Sequence, residues 1–99
     1  MSILARANPS YGSGQVIAVT TTSQNVTLPV KSKQVIFTNL GTNPAYVRMT
    51  PAAVAATTAD AIVPVGAPVV YTKGEDITTI SIVSTGGTAT VHVMPAEGF

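Results

Sequence analysis

The chain has 99 residues and no cysteine, so it forms one domain without a disulfide framework or a cysteine-ligated metal site. Only 9% of its residues are charged, whereas an ordinary soluble domain carries about 25%. The formal net charge is +1 and the five basic residues are scattered, which argues against a nucleic-acid partner because phosphate recognition needs a clustered basic face.

The first twelve residues differ from the rest of the chain. They lack the alternation of apolar and polar residues that is typical of a strand, and they lead into the glycine-rich residues 12–14. We therefore predict an N-terminal arm over residues 1–12 and one β-sandwich domain over residues 13–99. Ile3, Leu4 and Tyr11 are the apolar anchors with which this arm would bind a partner.

Neither an export signal nor a membrane span is expected. Residues 1–6 lack a charged start followed by an apolar run, so they do not have the form of a signal peptide. The most apolar stretch, residues 61–71, is too short to cross a bilayer and contains two prolines. We expect assembly in a cytoplasm and no membrane partner.

Strand signals dominate the remaining sequence. Valine and threonine, both β-branched, are the commonest residues, and no window keeps a helical period. The pattern predicts strands at residues 15–20, 25–30, 34–39, 45–50, 69–72, 77–84 and 88–94. Pro29 places the second of these at a sheet edge or at its own end. Seven to eight short strands at this spacing predict an all-β fold, either a small antiparallel β-sandwich or a jelly roll.

Two turns carry specific expectations. The Thr-Gly-Gly sequence of residues 85–87 separates the two clearest strands and predicts a tight hairpin between them. Lys31 and Lys33 flank another predicted hairpin, where solvent-facing charge is the simplest interpretation and a phosphate or acidic partner the alternative.

Residues capable of catalysis are few. His92 is the only histidine, and alternation places it opposite Val91 and Val93 on its strand. A catalytic triad needs an orienting carboxylate and a nucleophile in a recognisable context, and the sequence offers neither. Glu75 and Asp76 are interpreted as solvated turn residues rather than an acid–base or calcium pair. We therefore predict that the protein is not an enzyme and binds no metal or cofactor.

One strand carries a candidate binding surface. In residues 45–50, Ala45, Val47 and Met49 alternate with Tyr46 and Arg48, which project from the opposite face. Tyrosine and arginine are enriched at binding hot spots, so Tyr46 and Arg48 are candidate partner contacts. Edge protection against aggregation by Arg48 is the alternative.

Three segments are familiar when taken together: residues 37–48 (FTNLGTNPAYVR), residues 57–66 (TTADAIVPVG), and residues 86–91 (GGTATV) continuing to the ending PAEGF. In this order they resemble small structural proteins of tailed bacteriophages, and the resemblance covers residues 35–99. It implies a virion component and supplies no catalytic residues.

Composition adds an independent expectation. A surface built largely from threonine, serine, asparagine, glycine and alanine has few charges to prevent association, so we expect other subunits to cover much of it. The alternative is a neutral extracellular β-domain. Together with the resemblance, this predicts a capsid decoration (cement) protein on the phage head, assembled in the host cytoplasm. Its expected partner is the major capsid protein. We also expect a homo-oligomer, by analogy a trimer. The rivals are a head-fibre base or tail protein, and a carbohydrate-binding module.

Overall fold

The computed structural model describes residues 8–9, 12–52 and 54–97. Within these ranges the chain forms nine strands: β1 (Asn8–Pro9), β2 (Gln15–Val19), β3 (Gln24–Thr27), β4 (Gln34–Asn39), β5 (Ala45–Met49), β6 (Ala61–Val63), β7 (Val69–Thr72), β8 (Thr79–Ser84) and β9 (Ala89–Glu97). The described chain contains no helix with the length and hydropathy needed to cross a membrane.

The strands form two antiparallel sheets that pack face to face. Sheet A has the order β2–β9–β4–β7, and β1 continues the β2 edge along the far end of β9. Sheet B has the order β3–β8–β5–β6. Of the eight connections between described strands, six run from one sheet to the other, and the β1–β2 connection runs along one edge. Among the described strands, β5 and β6 are the one consecutive pair that are hydrogen-bonded to each other. This is the strand order of a jelly roll, which confirms the predicted fold class.

The hairpin predicted at residues 85–87 is wrong. These residues join β8 of sheet B to β9 of sheet A, so the flanking strands lie in different sheets. Gly86 and Gly87 have φ of 79° and 143°, which explains why glycine is needed there. The sequence identified the sharp turn correctly, but such a turn can also connect two strands that lie in different sheets, on opposite sides of the core. The hairpin predicted at residues 31–33 is wrong for the same reason, since β3 and β4 belong to different sheets.

Strand positions agree well with the pattern. The predicted segments 34–39 and 69–72 match β4 and β7 at both ends, and β3 is an edge strand that ends before Pro29. The sequence did not predict β1 or β6, which have two and three residues. Such short segments cannot show an alternating pattern of apolar and polar residues, and they are ordered mainly by pairing with neighbouring strands.

The last strand runs further than predicted, through Pro95 to Glu97. Pro95 pairs with Val35 of β4 on one side. On the other side, the described residues of β1 and β2 pair with Ala96 and Glu97 and with Ala89 to Val93, so Pro95 falls between the two sets of pairs. Proline lacks an N–H, and such a position between two paired segments suits it better than the middle of a ladder.

The core lies between the sheets and follows the predicted alternation. Phe37, Val91 and Val93 of sheet A and Val47 and Ile82 of sheet B are buried within it. Each buried aliphatic or aromatic side chain of this size stabilises the fold by roughly 1.5–3 kcal/mol. The inward orientation predicted for Ala45, Val47 and Met49 is confirmed, since the first two are buried and the third packs against the core.

Candidate interaction surfaces

Three of the five predicted contact residues, Ile3, Leu4 and Tyr11, lie outside the described residues. Of the predicted arm, Asn8 and Pro9 pair with Glu97 and Ala96 at the end of β9. The arm thus touches the sandwich at the edge of sheet A, and its role in binding stays a prediction.

Tyr46 and Arg48 lie on the outer face of sheet B, as their alternation predicted. Both are half-buried. Tyr46 lies between Ile62 of β6 and Val83 of β8, and Arg48 lies opposite Ser81. β5 has a neighbour on each side, but its described pairing with β6 ends at Val47, and Arg48 pairs with Ser81 of β8. Partner contact and edge protection by Arg48 both stay predictions.

Arg48 has a partner within the chain. Its Nη1 is 3.6 Å from Oδ1 of Asp60, whose side chain is 17% exposed. The other carboxylate oxygen of Asp60 accepts a hydrogen bond of 2.8 Å from the Thr57 N–H. Arg48 therefore tethers the loop of residues 50–60. The sequence did not indicate this role, because Asp60 lies at the far end of that loop.

The same loop covers much of the outer face of sheet B. The Ala56 N–H donates a 2.9 Å hydrogen bond to Oγ of Ser23, beside β3 at the sheet edge opposite β6. Ser81 and Val83 of β8 point outward by register, yet they are only 2% and 8% exposed. The loop that starts at β5 and returns to β6 thus crosses over β8, and the candidate Tyr46–Arg48 surface is smaller than the sequence suggested.

His92 lies on the outer face of sheet A, between Val16 of β2 and Thr38 of β4. A Cβ at Gly14 would lie 2.7 Å from its Nε2, so the imidazole sits close above the backbone that leads into β2. Glu75 and Asp76 are exposed, and Asp76 forms a 3.1 Å ion pair with Lys31. Among the described residues no group of three or more His, Asp or Glu side chains is placed to hold a metal ion.

The segments that carry the phage resemblance meet at one end of the sandwich. Nδ2 of Asn39 donates to the Asn43 carbonyl at 2.8 Å and to the Val63 carbonyl at 3.3 Å, and its Oδ1 accepts from the Gly41 N–H at 2.9 Å. Nδ2 of Asn43 donates to the Thr88 carbonyl at 2.8 Å. One amide network therefore joins all three segments, and these motifs serve the fold.

Strand register places four loops together at this end. Val19, at the end of β2, is opposite Ala89 at the start of β9. Ser84, at the end of β8, is opposite Ala45 at the start of β5. The loops are residues 20–23, 40–44, 64–68 and 85–88, and none contains a charged or aromatic residue. We call this surface the uncharged end.

Two exposed apolar side chains dominate the uncharged end. Leu40 is 63% exposed and Val65 is 45% exposed. Their backbones are close in space, since Val65 forms a parallel bridge with Asn39, the residue before Leu40. The sequence showed each loop as an ordinary polar turn. Their convergence would have been visible only from the jelly-roll connectivity.

The opposite end, which we call the charged end, carries most of the charge: Lys31, Lys33, Lys73, Glu75, Asp76 and Glu97. The Lys73 N–H donates to the Lys33 carbonyl at 2.8 Å, and its Nζ donates to the Ser32 carbonyl. Burial lowers the pKa of the Lys73 ammonium below its ordinary 10.5, while the carboxylates of Glu97, Glu75 and Asp76 partly offset this. Lysine 73 thus links the β3–β4 and β7–β8 loops.

Comparison with known proteins gives no relative for this chain. No family model matches it, and neither the curated proteins nor the solved structures contain a match.

Proposed function

We propose that this protein is a non-catalytic capsid decoration (cement) protein of a tailed bacteriophage, bound to the major capsid protein on the head surface. The observation that carries the proposal is the surface of the domain. Charge is scarce, and the described chain exposes seven large apolar side chains: Val16, Val30, Leu40, Val54, Ile62, Val65 and Val70. A surface of this kind is suited to a protein that works in an assembly.

The fold is compatible with this function without requiring it. Jelly rolls form viral capsid and lectin domains alike, so the strand order alone does not decide between them. A lectin-like site usually presents an aromatic platform. Here Phe37 is buried in the core and Tyr71 packs against it, with ring centroids 6.0 Å apart. The proposal therefore relies on surface composition and on the motif resemblance.

The proposed mechanism is mechanical. Each subunit bridges neighbouring capsomers, and its binding stabilises the assembled shell by mass action, as any ligand selective for one state does. Residues 1–7 of the arm, which precede the pairing of Asn8 and Pro9 with β9, span roughly 25 Å when fully extended, and we propose that they contact an adjacent capsomer. The accessible part of the Tyr46–Arg48 surface supplies the second contact.

The test is co-sedimentation of the purified protein with capsids that lack it. Deleting residues 2–12 is expected to weaken binding at least tenfold, about 1.4 kcal/mol, because it removes the apolar anchors of the arm. The deleted protein is expected to stay folded, since the core residues lie in β2 to β9. Failure of the intact protein to bind capsids would contradict the proposed function.

Arg48 needs a matched control because it also tethers a loop. If Arg48 contacts the shell, Arg48→Ala weakens binding about tenfold, whereas Asp60→Asn releases the loop and leaves binding intact. Equal weakening by both variants would show that Arg48 acts through the loop of residues 50–60. Unchanged binding by Arg48→Ala and by the arm deletion would refute this account of attachment.

A further inference from the structure

We infer that the uncharged end of the sandwich is the contact between copies of this chain. The inference rests on the proposed function in one respect, because the homo-oligomer was predicted together with that function. It adds the surface through which the copies meet, around Leu40 and Val65.

Charge is segregated along the sandwich. The four loops of the uncharged end have none, and the eight charged residues of the described chain lie elsewhere: Lys31, Lys33, Arg48, Asp60, Lys73, Glu75, Asp76 and Glu97. A two-fold contact brings the same patch of both copies together, and a three-fold axis brings together the residues that surround it, so charge at either place repels itself. The uncharged end avoids this repulsion and buries no ion.

The two asparagine side chains and Ser84 at this end form hydrogen bonds within the chain. Asn39 and Asn43 use their amide groups in the network described above, and the Ser84 hydroxyl donates to the Gly87 carbonyl. Few side-chain groups besides threonine hydroxyls remain to recognise a sugar or a charged peptide. The apolar pair Leu40 and Val65 is matched best by an identical apolar pair on another copy.

The size of the uncharged end sets the strength of the contact. The described chain measures 37 × 29 × 25 Å, and the uncharged end is only one end of this small domain. A contact confined to four short loops falls at the small end of protein interfaces, of which a standard stable one buries about 800 Å² per partner. Self-association in solution should accordingly be weak and concentration-dependent, and it should be reinforced when copies sit side by side on a shell.

The experiment measures the weight-average mass of the intact protein by sedimentation over a wide concentration range. Leu40→Asp and Val65→Asp should each raise the dissociation constant at least tenfold, because they place like charges opposite each other in the contact. Val16→Asp is the matched control: Val16 is 64% exposed, like Leu40, but lies on the outer face of sheet A. All three positions are exposed, and far-UV circular dichroism verifies that each variant is folded.

The outcomes separate this inference from the proposed function. If the wild type associates and Leu40→Asp and Val65→Asp associate equally well, the uncharged end is not the contact. The same holds if association is lost in Val16→Asp instead. A wild-type protein that stays monomeric throughout would also overturn it. Capsid co-sedimentation of the same proteins reports on the function independently, since a monomeric Leu40→Asp variant supports the inference even if no capsid binding is found.

Discussion

Asn39 shows how one residue organises an end of the sandwich. Its side chain is buried, and it bonds to the backbone of Gly41 and Asn43 in its own loop and of Val63 at the end of β6. A buried amide with every bond formed stabilises the chain, and removing it leaves several backbone groups without partners. The Asn-x-Gly-x-Asn motif is therefore explained by hydrogen bonding within the fold.

Asn39→Ala is expected to lower the free energy of unfolding by about 2–3 kcal/mol, because the Gly41 N–H and two carbonyls lose their partner in a buried site. Thr42→Ala, at an exposed position of the same loop, should change it by less than about 0.5 kcal/mol. Urea denaturation of the three proteins measures both values. An equal effect of the two substitutions would contradict the role given to the Asn39 amide.

At the scale of elements, the loops of the charged end depend on Lys73. Its ammonium is partly buried between the β3–β4 and β7–β8 loops, and burial lowers its pKa. The folded chain therefore binds this proton more weakly than the unfolded chain does. Between the lowered pKa and 10.5 the unfolded state holds more protons, so this group makes stability rise with pH in that window.

This gives a prediction for alkaline pH. The stability of the wild type relative to Lys73→Met should increase as the pH rises towards 10.5, since only the wild type releases the proton of this partly buried ammonium. Lys33→Met, at an exposed position on the adjoining loop, is the matched control for the loss of one lysine charge. Urea denaturation at each pH measures the differences. A relative stability of the wild type that falls with pH would refute the assignment.

For the whole molecule, charge is distributed unevenly between the two ends of the sandwich, and this gives a test of the proposed contact between copies. Contacts made through uncharged loops gain from apolar burial and have little Coulomb energy to lose to added salt. An association driven by the lysines and carboxylates of the charged end would weaken as salt screens those charges. Salt dependence therefore distinguishes the two ends of the sandwich.

The expected oligomer is a trimer of about 30 kDa, three times the 10.1 kDa chain, with the three-fold state taken from the phage resemblance. Its population should be unchanged or larger when salt is raised from about 0.05 M to about 1 M. Light scattering after size exclusion measures the mass at each salt concentration. Dissociation at high salt would point to the charged end instead.

The sequence by itself determined the local features of this protein. It predicted β4 and β7 to the residue, the alternation of β5 and the edge position of the strand next to Pro29, because alternation and proline act within a few residues. It also established the scarcity of charge on which the proposed function depends. The outward orientation of Tyr46 and Arg48 followed from the same alternation.

Only the tertiary structure decided which strands pair and what covers them. Residues 85–87 signal a turn, but whether the chain pairs back or crosses to the other sheet depends on burying both sheet faces in one core. The Arg48–Asp60 pair, the loop over β8 and the meeting of four uncharged loops are contacts between distant parts of the chain. They arise from packing, which a local pattern does not encode, and they set which surfaces remain for a partner.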